Sequence, residues 1–292
     1  MNGPTENRNP ATSDIDMVPT ASALELILRE DARGVAAAEE AIPQLAALVE
    51  VAHERILHGG RIHYFGAGAS GRLAFLDASE LHPTFGFPRD SVQTHFPGGL
   101  AALVDSSIDL EDADDAGEVD AAEVGSRDLL IGIAASGATP YVAGALSAAR
   151  RAYARTALVT NTPDAELSSL ADLVVVLDTG PEAVTGSTRM KAGTATKVAL
   201  NAFSTALMIR LGYTYSNLMV GMVATNDKLK HRAVAQLAEA SGQPLASCVQ
   251  ALAAADGHIQ VALVMLLSGD TAEDAALLLQ HHKSVRDVMA LR

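Results

Sequence analysis

Residues 61–86 contain the feature that most restricts the fold: a short apolar run, a glycine-rich turn and then a helical pattern. Residues 62–65 favour a β-strand, Gly66, Gly68 and Gly71 allow a tight turn, and helically spaced apolar residues begin at Leu73. A strand that turns directly into a helix leaves backbone N–H groups free at the helix N-terminus, where partial positive charge favours an anion. This stretch therefore predicts an anion site at a strand end, with phosphate as the usual ligand.

The same glycines also satisfy the dinucleotide-binding pattern, which requires an acidic residue at the end of the next strand to hold a ribose hydroxyl. Here the next strand, residues 91–96, is followed by Pro97 and two glycines without a carboxylate. Ser70 adds a hydroxyl beside the free N–H groups. A sugar phosphate is preferred over a dinucleotide, and a turn that only packs strand against helix is the structural alternative.

Four further apolar runs predict a mostly parallel five-stranded sheet: residues 91–96, 129–135, 156–160 and 173–177. Helical segments separate them, which is typical of a parallel sheet covered on both faces, with ligands at the carboxyl ends of its strands. The predicted class is α/β, a three-layer α/β/α sandwich with a small C-terminal helical subdomain.

The chain divides by composition into three segments. Residues 1–20 are polar and predict a flexible N-terminal arm, residues 21–233 the sheet domain with its N-terminal helices, and residues 234–292 the helical subdomain. Three N-terminal helices are expected, the first from Ser22, the second over residues 35–41 and the third over residues 44–58. A long apolar helix is expected over residues 189–211, and three short helices after residue 234.

Composition restricts the partners and the compartment. A formal net charge of −14 without a basic stripe argues against nucleic acid and anionic membranes. Cys248 is the single cysteine and no signal peptide or long apolar run is present, so we expect a soluble, cytoplasmic protein. The nine histidines lack metal-site spacing, which predicts no dedicated metal site.

Two more hydroxyl-rich turns follow strands. Ser136 and Gly137, with Thr139 before Pro140, form a second turn, and its position beside the first predicts a phosphate cup from Ser70 and Ser136. For Thr139, an ordinary N-cap is the alternative.

The third cluster opens the long helix with Ser187 and Thr188, followed by Arg189 and Lys191. Cations are unfavourable at a helix N-terminus, so they need an anionic ligand or an acidic partner, and both alternatives stay open.

Two carboxylates are candidates for acid–base chemistry. Glu80 lies near the end of the helix that starts at Ser70, and Pro83 is predicted to stop that helix near Leu81. Glu111 lies in an acidic run, and such a run is usually a solvated face.

Several long motifs in order resemble the N-acetylmuramic acid 6-phosphate etherases of the sugar isomerase (SIS) superfamily: GAGASGRLAFLDASELHPTFG, GIAASGATPYV, TGSTRMKAGTATK, SNLMV and ATNDKL. The resemblance implies a homodimer and removal of D-lactate from the C3 ether, giving N-acetylglucosamine 6-phosphate in cell-wall sugar recycling. It assigns the two carboxylates to Glu80 and Glu111. The three turns contain the residues that we predict to bind the phosphate: Gly68, Ala69, Ser70, Ser136, Gly137, Thr139, Ser187, Thr188 and Lys191.

The implied chemistry needs a base for the acidic C2 proton and an acid for the departing oxygen, and no metal or cofactor. We expect Glu111 to be the base and Glu80 the acid, although the roles could be reversed. Glu80 lies roughly 15 Å along a continuous helix from Ser70, so either the helix ends early or Glu80 serves a partner subunit.

The chain departs from the family pattern at three places, which puts fine substrate contacts in doubt more than the reaction: Leu81-His82, Ala138 and Ile108-Asp109. Two other functions are compatible with such a domain. One is a non-enzymatic sugar-phosphate sensor like the glucokinase regulatory proteins, and the other is a phosphosugar isomerase.

Overall fold

The computed structural model describes residues 3–105, 107–108, 110–224 and 227–292. These residues form two compact units. Unit 1 comprises residues 3–79 and 90–204 among them, and unit 2 comprises residues 80–89 and 205–292.

Unit 1 contains the sheet, and the prediction of five parallel strands is confirmed. The strands are β1 (Ile62–Gly66), β2 (Val92–His95), β3 (Leu129–Ile133), β4 (Arg155–Thr160) and β5 (Leu173–Val176). Their order is β2-β1-β3-β4-β5, and every neighbouring pair is parallel. All residues of β1 and β3 are buried, as expected for central strands covered on both faces.

Helices cover both faces of this sheet. Phe65 and Leu130 pack with Leu146 of α6 (Pro140–Arg151) on one face. Side chains alternate along a strand, so Tyr64 points to the other face, where its hydroxyl donates to Asp77 of α3 (Gly68–Phe85). The remaining helices with residues in unit 1 are α1 (Thr20–Glu40), α2 (Ile42–Leu57), α4 (Gly99–Val104), α5 (Asp114–Asp120) and α7 (Lys191–Arg210).

The N-terminal helices differ from the sequence expectation. The first two expected segments form one helix, α1, and α2 follows after a break at Ala41. Gly34 does not interrupt α1; it allows the helix to lie against α7, since a Cβ at this position would be 2.7 Å from the Lys191 carbonyl oxygen. The glycine therefore serves close packing.

Helix α3 also differs, because it continues through Pro83 to Phe85 instead of stopping near Leu81. Proline removes one backbone donor, and Pro83 lies only two residues before the helix ends. The lost hydrogen bond therefore affects only the last turn of α3. The helix ends there, where the Gly86 N–H donates to the His82 carbonyl oxygen and Gly86 has a φ of +72°.

The N-terminal arm was expected to be flexible, whereas its described part belongs to unit 1 and packs within it. It has two 3-10 turns, Pro4–Glu6 and Pro10–Thr12, and three of its polar side chains are buried: Thr5, Asn9 and Thr12. Asn9 Nδ2 donates to Glu30 Oε2 at 2.7 Å and to the Pro181 carbonyl oxygen at 3.2 Å. Polar composition suggested disorder, but the side chains of Asn9 and Thr12 find hydrogen-bond partners in the fold.

Unit 2 is mainly helical. Besides the hairpin of β6 (Thr214–Tyr215) and β7 (Leu218–Met219), it contains α8 (Asp227–Ser241), α9 (Leu245–Ala254), α10 (Ile259–Ser268), α11 (Ala272–His282) and α12 (Val285–Met289). Helices α9 and α10 are separate, because Asp256 and Gly257 between them have positive φ values of 49° and 80°. The predicted domain boundary at residues 233 and 234 falls inside α8. No helix in the described part of the chain has the length and apolarity to span a bilayer.

Candidate active site

The turn between β1 and α3 depends on glycine. A Cβ at Gly71 would lie 2.3 Å from the Gly66 carbonyl oxygen, and Gly68 has a φ of +52°. The strand can therefore turn directly into α3, whose first turn carries Ala69 and Ser70, both partly exposed. The first backbone N–H groups of an α-helix have no partner within the helix, so this turn has the geometry that the sequence predicted for an anion site.

The second predicted turn follows β3, which neighbours β1 in the sheet, with Gly66 paired to Ile133. Gly137 has a φ of +69°, and a Cβ there would be 2.2 Å from the Ala165 Cβ. The Ser136 hydroxyl is exposed and accepts the Ala138 N–H at 3.3 Å, while Thr139 is buried at the N-cap of α6. The fold therefore places the Ser70 and Ser136 turns at neighbouring strand ends.

Glu111 lies beside the first turn, and it is exposed, as its acidic run suggested. If Gly68 carried a Cβ, the Glu111 Oε2 would lie 3.8 Å from it. The Glu111 carbonyl oxygen accepts the Tyr141 N–H at 3.1 Å. A cavity of about 160 Å³ opens here, lined by Ala67, Gly68, Arg72, Phe96, Pro97, Ile108, Leu110 and Glu111. One carboxylate therefore lies beside the turn that the sequence predicted to bind an anion.

Arg72 is a member of this cavity that the sequence analysis did not select. Its guanidinium lies over the Phe96 ring at 5.3 Å and donates to the carbonyl oxygens of Leu103 and Ala102. These contacts fix a cation two residues after Ser70. Its place in the first turn of a helix at an anion site was the available signal.

The third cluster is organised by acidic partners within the protein. The Glu182 carboxylate accepts the N–H groups of Lys191 and Ala192, so it caps the N-terminus of α7. Lys191, which the sequence assigned to phosphate binding, is only 1% exposed, and its Nζ lies 2.5 Å from Glu30 Oε2. The acidic-partner alternative therefore accounts for the Lys191 ammonium.

Burial and hydrogen bonding act in opposite directions on the pKa values of these two glutamates. Burial raises the pKa of Glu182 despite the two backbone hydrogen bonds. Burial alone would also raise the pKa of Glu30, but hydrogen bonds from Lys191 and Asn9, together with the Lys191 charge, lower it.

Ser187 and Thr188 precede α7 and are partly exposed. The start of α7 lies against α3, since a Cβ at Gly193 would be 3.9 Å from Leu73 Cδ1. The arm holds the preceding loop through Thr12 Oγ1, which donates to the Ala183 carbonyl oxygen, and through the Gly186 N–H, which donates to the Thr5 carbonyl oxygen.

Glu80 belongs to unit 2 and is exposed on α3. Because α3 is continuous, the alternative in which the helix ends before Glu80 is wrong. Ten residues separate it from Ser70, which corresponds to about 15 Å of helical rise.

The three family departures have different surroundings. Leu81 is buried in unit 2, and His82 Nδ1 lies 2.9 Å from the Phe87 carbonyl oxygen. Ala138 is exposed in the second turn, and Ile108 lines the cavity beside Glu111. Asp109 lies outside the described residues.

The parallel sheet, its strand order and its adjacent glycine–serine turns define a domain of the SIS type. Residues 109–206 match the SIS domain family, and residues 44–150 match the glucokinase regulatory protein N-terminal SIS domain. Two solved structures share the fold at a TM-score of 0.50. The E. coli CFT073 protein c3406 is 20% identical, covering 68% of this chain and 97% of that one. A phosphoheptose isomerase from Francisella tularensis is 14% identical, covering 65% and 96%.

Curated relatives identify the family within this class. The N-acetylmuramic acid 6-phosphate etherase of Thermobifida fusca is 55% identical over 268 residues, covering 92% of this chain and 88% of that protein. The etherase of Mycolicibacterium smegmatis is 44% identical over 274 residues, covering 93% and 92%. The chain belongs to the N-acetylmuramic acid 6-phosphate etherase family.

Proposed function

We propose that this protein cleaves the lactyl ether of N-acetylmuramic acid 6-phosphate, releasing D-lactate and N-acetylglucosamine 6-phosphate during cell-wall sugar recycling. The observation that carries the proposal is the Glu111 carboxylate beside Gly68, at the anion-binding turn of a chain from the etherase family. A phosphosugar held at this turn would have a carboxylate within its reach.

The phosphate is held by the two adjacent turns in this proposal. The α3 N-terminus supplies N–H groups at Gly68 and Ala69 with the Ser70 hydroxyl, and the exposed Ser136 hydroxyl contributes from the second turn. Gly137 and Thr139 shape that turn, and Ser187 and Thr188 add hydroxyls from the third. Lys191 does not contact the phosphate in this proposal, because its ammonium is paired with Glu30. It contributes by holding the start of α7 in place. Binding energy from the phosphate then orients the reacting part of the sugar.

The reaction proposed is an elimination followed by addition of water, which makes the enzyme a carbon–oxygen lyase. In the open-chain sugar the C1 aldehyde acidifies the C2 proton. Glu111 removes that proton, the electrons form a C2–C3 double bond, and the C3–O bond breaks while Glu80 protonates the departing lactate oxygen. Water then adds its oxygen to C3 and a proton to C2, so the overall change is hydrolysis of the ether.

We further propose a homodimer with a shared active site in the cytoplasm. The continuous α3 supports sharing, because it carries Glu80 about 15 Å away from the turn that begins the same helix. The single, buried Cys248 suits a reducing compartment.

The activity is tested by incubating purified protein with N-acetylmuramic acid 6-phosphate in H₂¹⁸O and assaying D-lactate. The label should enter the C3 hydroxyl of the sugar product and be absent from lactate. Label in lactate would contradict elimination, and no lactate release would contradict the etherase proposal.

The two carboxylates are tested separately. Glu111→Gln and Glu80→Gln should each lower kcat by about 10²–10⁴, the range for general acid–base catalysis. Asp112→Asn removes an exposed neighbouring charge and should leave kcat unchanged. Equal losses in all three variants would point to a general charge effect.

Sharing between subunits is tested by mixing. Glu80→Gln and Glu111→Gln chains carrying different tags are co-expressed, and the mixed dimers are purified. If the site is shared, one of the two sites in each mixed dimer keeps both carboxylates and the other has neither. The mixed dimers should therefore show roughly half of the activity of the wild-type dimer. Mixed dimers as inactive as the parent variants would contradict sharing.

A non-enzymatic phosphosugar sensor is a second candidate, favoured by the match of residues 44–150 to the regulatory SIS domain. It predicts saturable sugar-phosphate binding without turnover. The lactate assay therefore separates the two functions, and formation of an isomeric sugar phosphate without lactate would indicate an isomerase.

A further inference from the structure

A second cluster of chemically active side chains lies within unit 1, outside the residues proposed for catalysis. His63 on β1, His95 on β2 and Glu123 after α5 bring potential ligand atoms within 4.8 Å of one another. His63 is fully buried, His95 is partly exposed and Glu123 is exposed. The sequence predicted no metal site, because these residues are far apart in the chain and only the pairing of β1 with β2 brings the histidines together.

The spacing of the imidazole nitrogens suits a metal ion. His63 Nδ1 lies 3.1 Å from His95 Nε2, a hydrogen bond between the two imidazoles that a bound metal ion would replace. Two histidine nitrogens bound to tetrahedral Zn²⁺ at 2.0–2.1 Å are about 3.3 Å apart, so little movement is needed to place an ion between them. The His95 ring is already oriented, because it stacks on Phe65 with a centroid separation of 4.1 Å.

The other nitrogen of His63, Nε2, faces a carboxylate, as the non-ligating nitrogen of a metal-bound histidine commonly does. Nε2 is buried without a hydrogen-bond partner, and the nearest carboxylate oxygen, Asp128 Oδ2, is 3.7 Å away. Metal-binding histidines commonly direct their second nitrogen toward a carboxylate, which orients the ring and increases its basicity. Asp128 is itself held in place by the backbone N–H groups of Arg61 and Gly125.

The charges around the cluster also favour a divalent cation. Glu123 and Asp128 bring two negative charges against the single positive charge of Arg61.

We propose that His63, His95 and Glu123 form a binding site for a divalent late first-row metal ion, with Zn²⁺ as the preferred ion and Asp128 supporting His63. Imidazole and carboxylate ligands are a common set for Zn²⁺, with water in the fourth position. Glu123 is the exposed ligand, and it exchanges its 3.4 Å contact with Arg61 for the metal. This proposal is independent of the etherase activity.

The site has a structural route to the candidate active site. His95 ends β2, and the next residues, Phe96 and Pro97, line the cavity that contains Glu111. Metal binding is therefore expected to change the kinetics of whatever reaction occurs in that cavity, although binding itself is the primary readout.

The test uses the full chain without a histidine tag, freed of metal by dialysis against a chelator and titrated with Zn²⁺ against a chromophoric competitor. One tight equivalent per chain is expected. His95→Ala and Glu123→Gln should each weaken binding by at least about tenfold. The matched control is His281→Ala/His282→Ala, which removes two adjacent histidines from the last turn of α11 and should leave the tight site intact.

Co²⁺ provides a second measurement that does not depend on affinity. Tetrahedral Co²⁺ bound by the wild type and by the control should show intense visible ligand-field bands, and these should be lost in His95→Ala. Circular dichroism checks the fold of each variant. Absence of a tight Zn²⁺ equivalent in the wild type, or equal affinity in His95→Ala and the wild type, would overturn the proposal.

Discussion

Replacing Lys191 by methionine tests the buried ion pair at the start of α7. The substitution removes the ammonium but keeps the length of the side chain, so the Glu30 carboxylate loses its cation and retains the amide of Asn9. Removing one partner of a buried pair costs about 3–5 kcal/mol. At roughly 2–4 °C per kcal/mol, Tm should fall by about 6–20 °C.

The pH dependence of this loss follows from the direction of the Glu30 pKa. A lowered pKa in the folded state means that the ion pair stabilises the protein above the unfolded pKa near 4.5, and that this stability is lost as pH falls through the folded pKa. The difference between wild type and Lys191→Met should therefore be largest near neutral pH and shrink below pH 4.5.

The assay is thermal and urea unfolding followed by far-ultraviolet circular dichroism, since the chain has no tryptophan. The double variant Glu30→Leu/Lys191→Met is the control: it removes both charges and should recover most of the loss. A single-variant loss below about 1 kcal/mol, or additive losses in the double variant, would refute the argument that a desolvated charge causes the effect.

Three further predictions follow from close contacts in unit 1. Gly71→Ala should destabilise the protein by about 1–3 kcal/mol in urea unfolding, because its Cβ would lie 2.3 Å from the Gly66 carbonyl oxygen. Asn9→Ala should cost about 1–3 kcal/mol in the same assay, since it leaves the buried Glu30 carboxylate without its amide donor. Burial raises the pKa of Asp77 despite its hydrogen bonds, so the wild type should lose stability relative to Asp77→Asn as pH rises from about 4 through the folded pKa.

The strands and turns could be predicted from the sequence because their signals are local. The apolar run before Gly66 and the glycines after it determine a strand and a turn almost without reference to the rest of the chain. The helix boundaries were less reliable. Gly34 and Pro83 are breakers by propensity, but the packing of Gly34 and the terminal position of Pro83 allowed both helices to continue.

The parts of the site that could not be predicted depend on contacts between distant residues. Glu182 caps α7 from nine residues away, and Glu30 reaches Lys191 across 161 residues of sequence. Neither partner is marked by local pattern. The same holds for the position of Glu111: its acidic neighbours indicated exposure, and it is exposed, but only the fold places it beside Gly68.

The packed arm has a consequence for how the chain reaches its native state. Asn9 and Thr12 leave the ribosome early, yet their acceptors at Pro181 and Ala183 are 172 and 171 residues further along. The side chains of Asn9 and Thr12 therefore cannot form these hydrogen bonds, and remain hydrated, until the residues that follow the last strand of the sheet have been synthesised. Closure of the loop before α7 is consequently expected among the late steps of folding, and a fusion partner at the amino end would delay it.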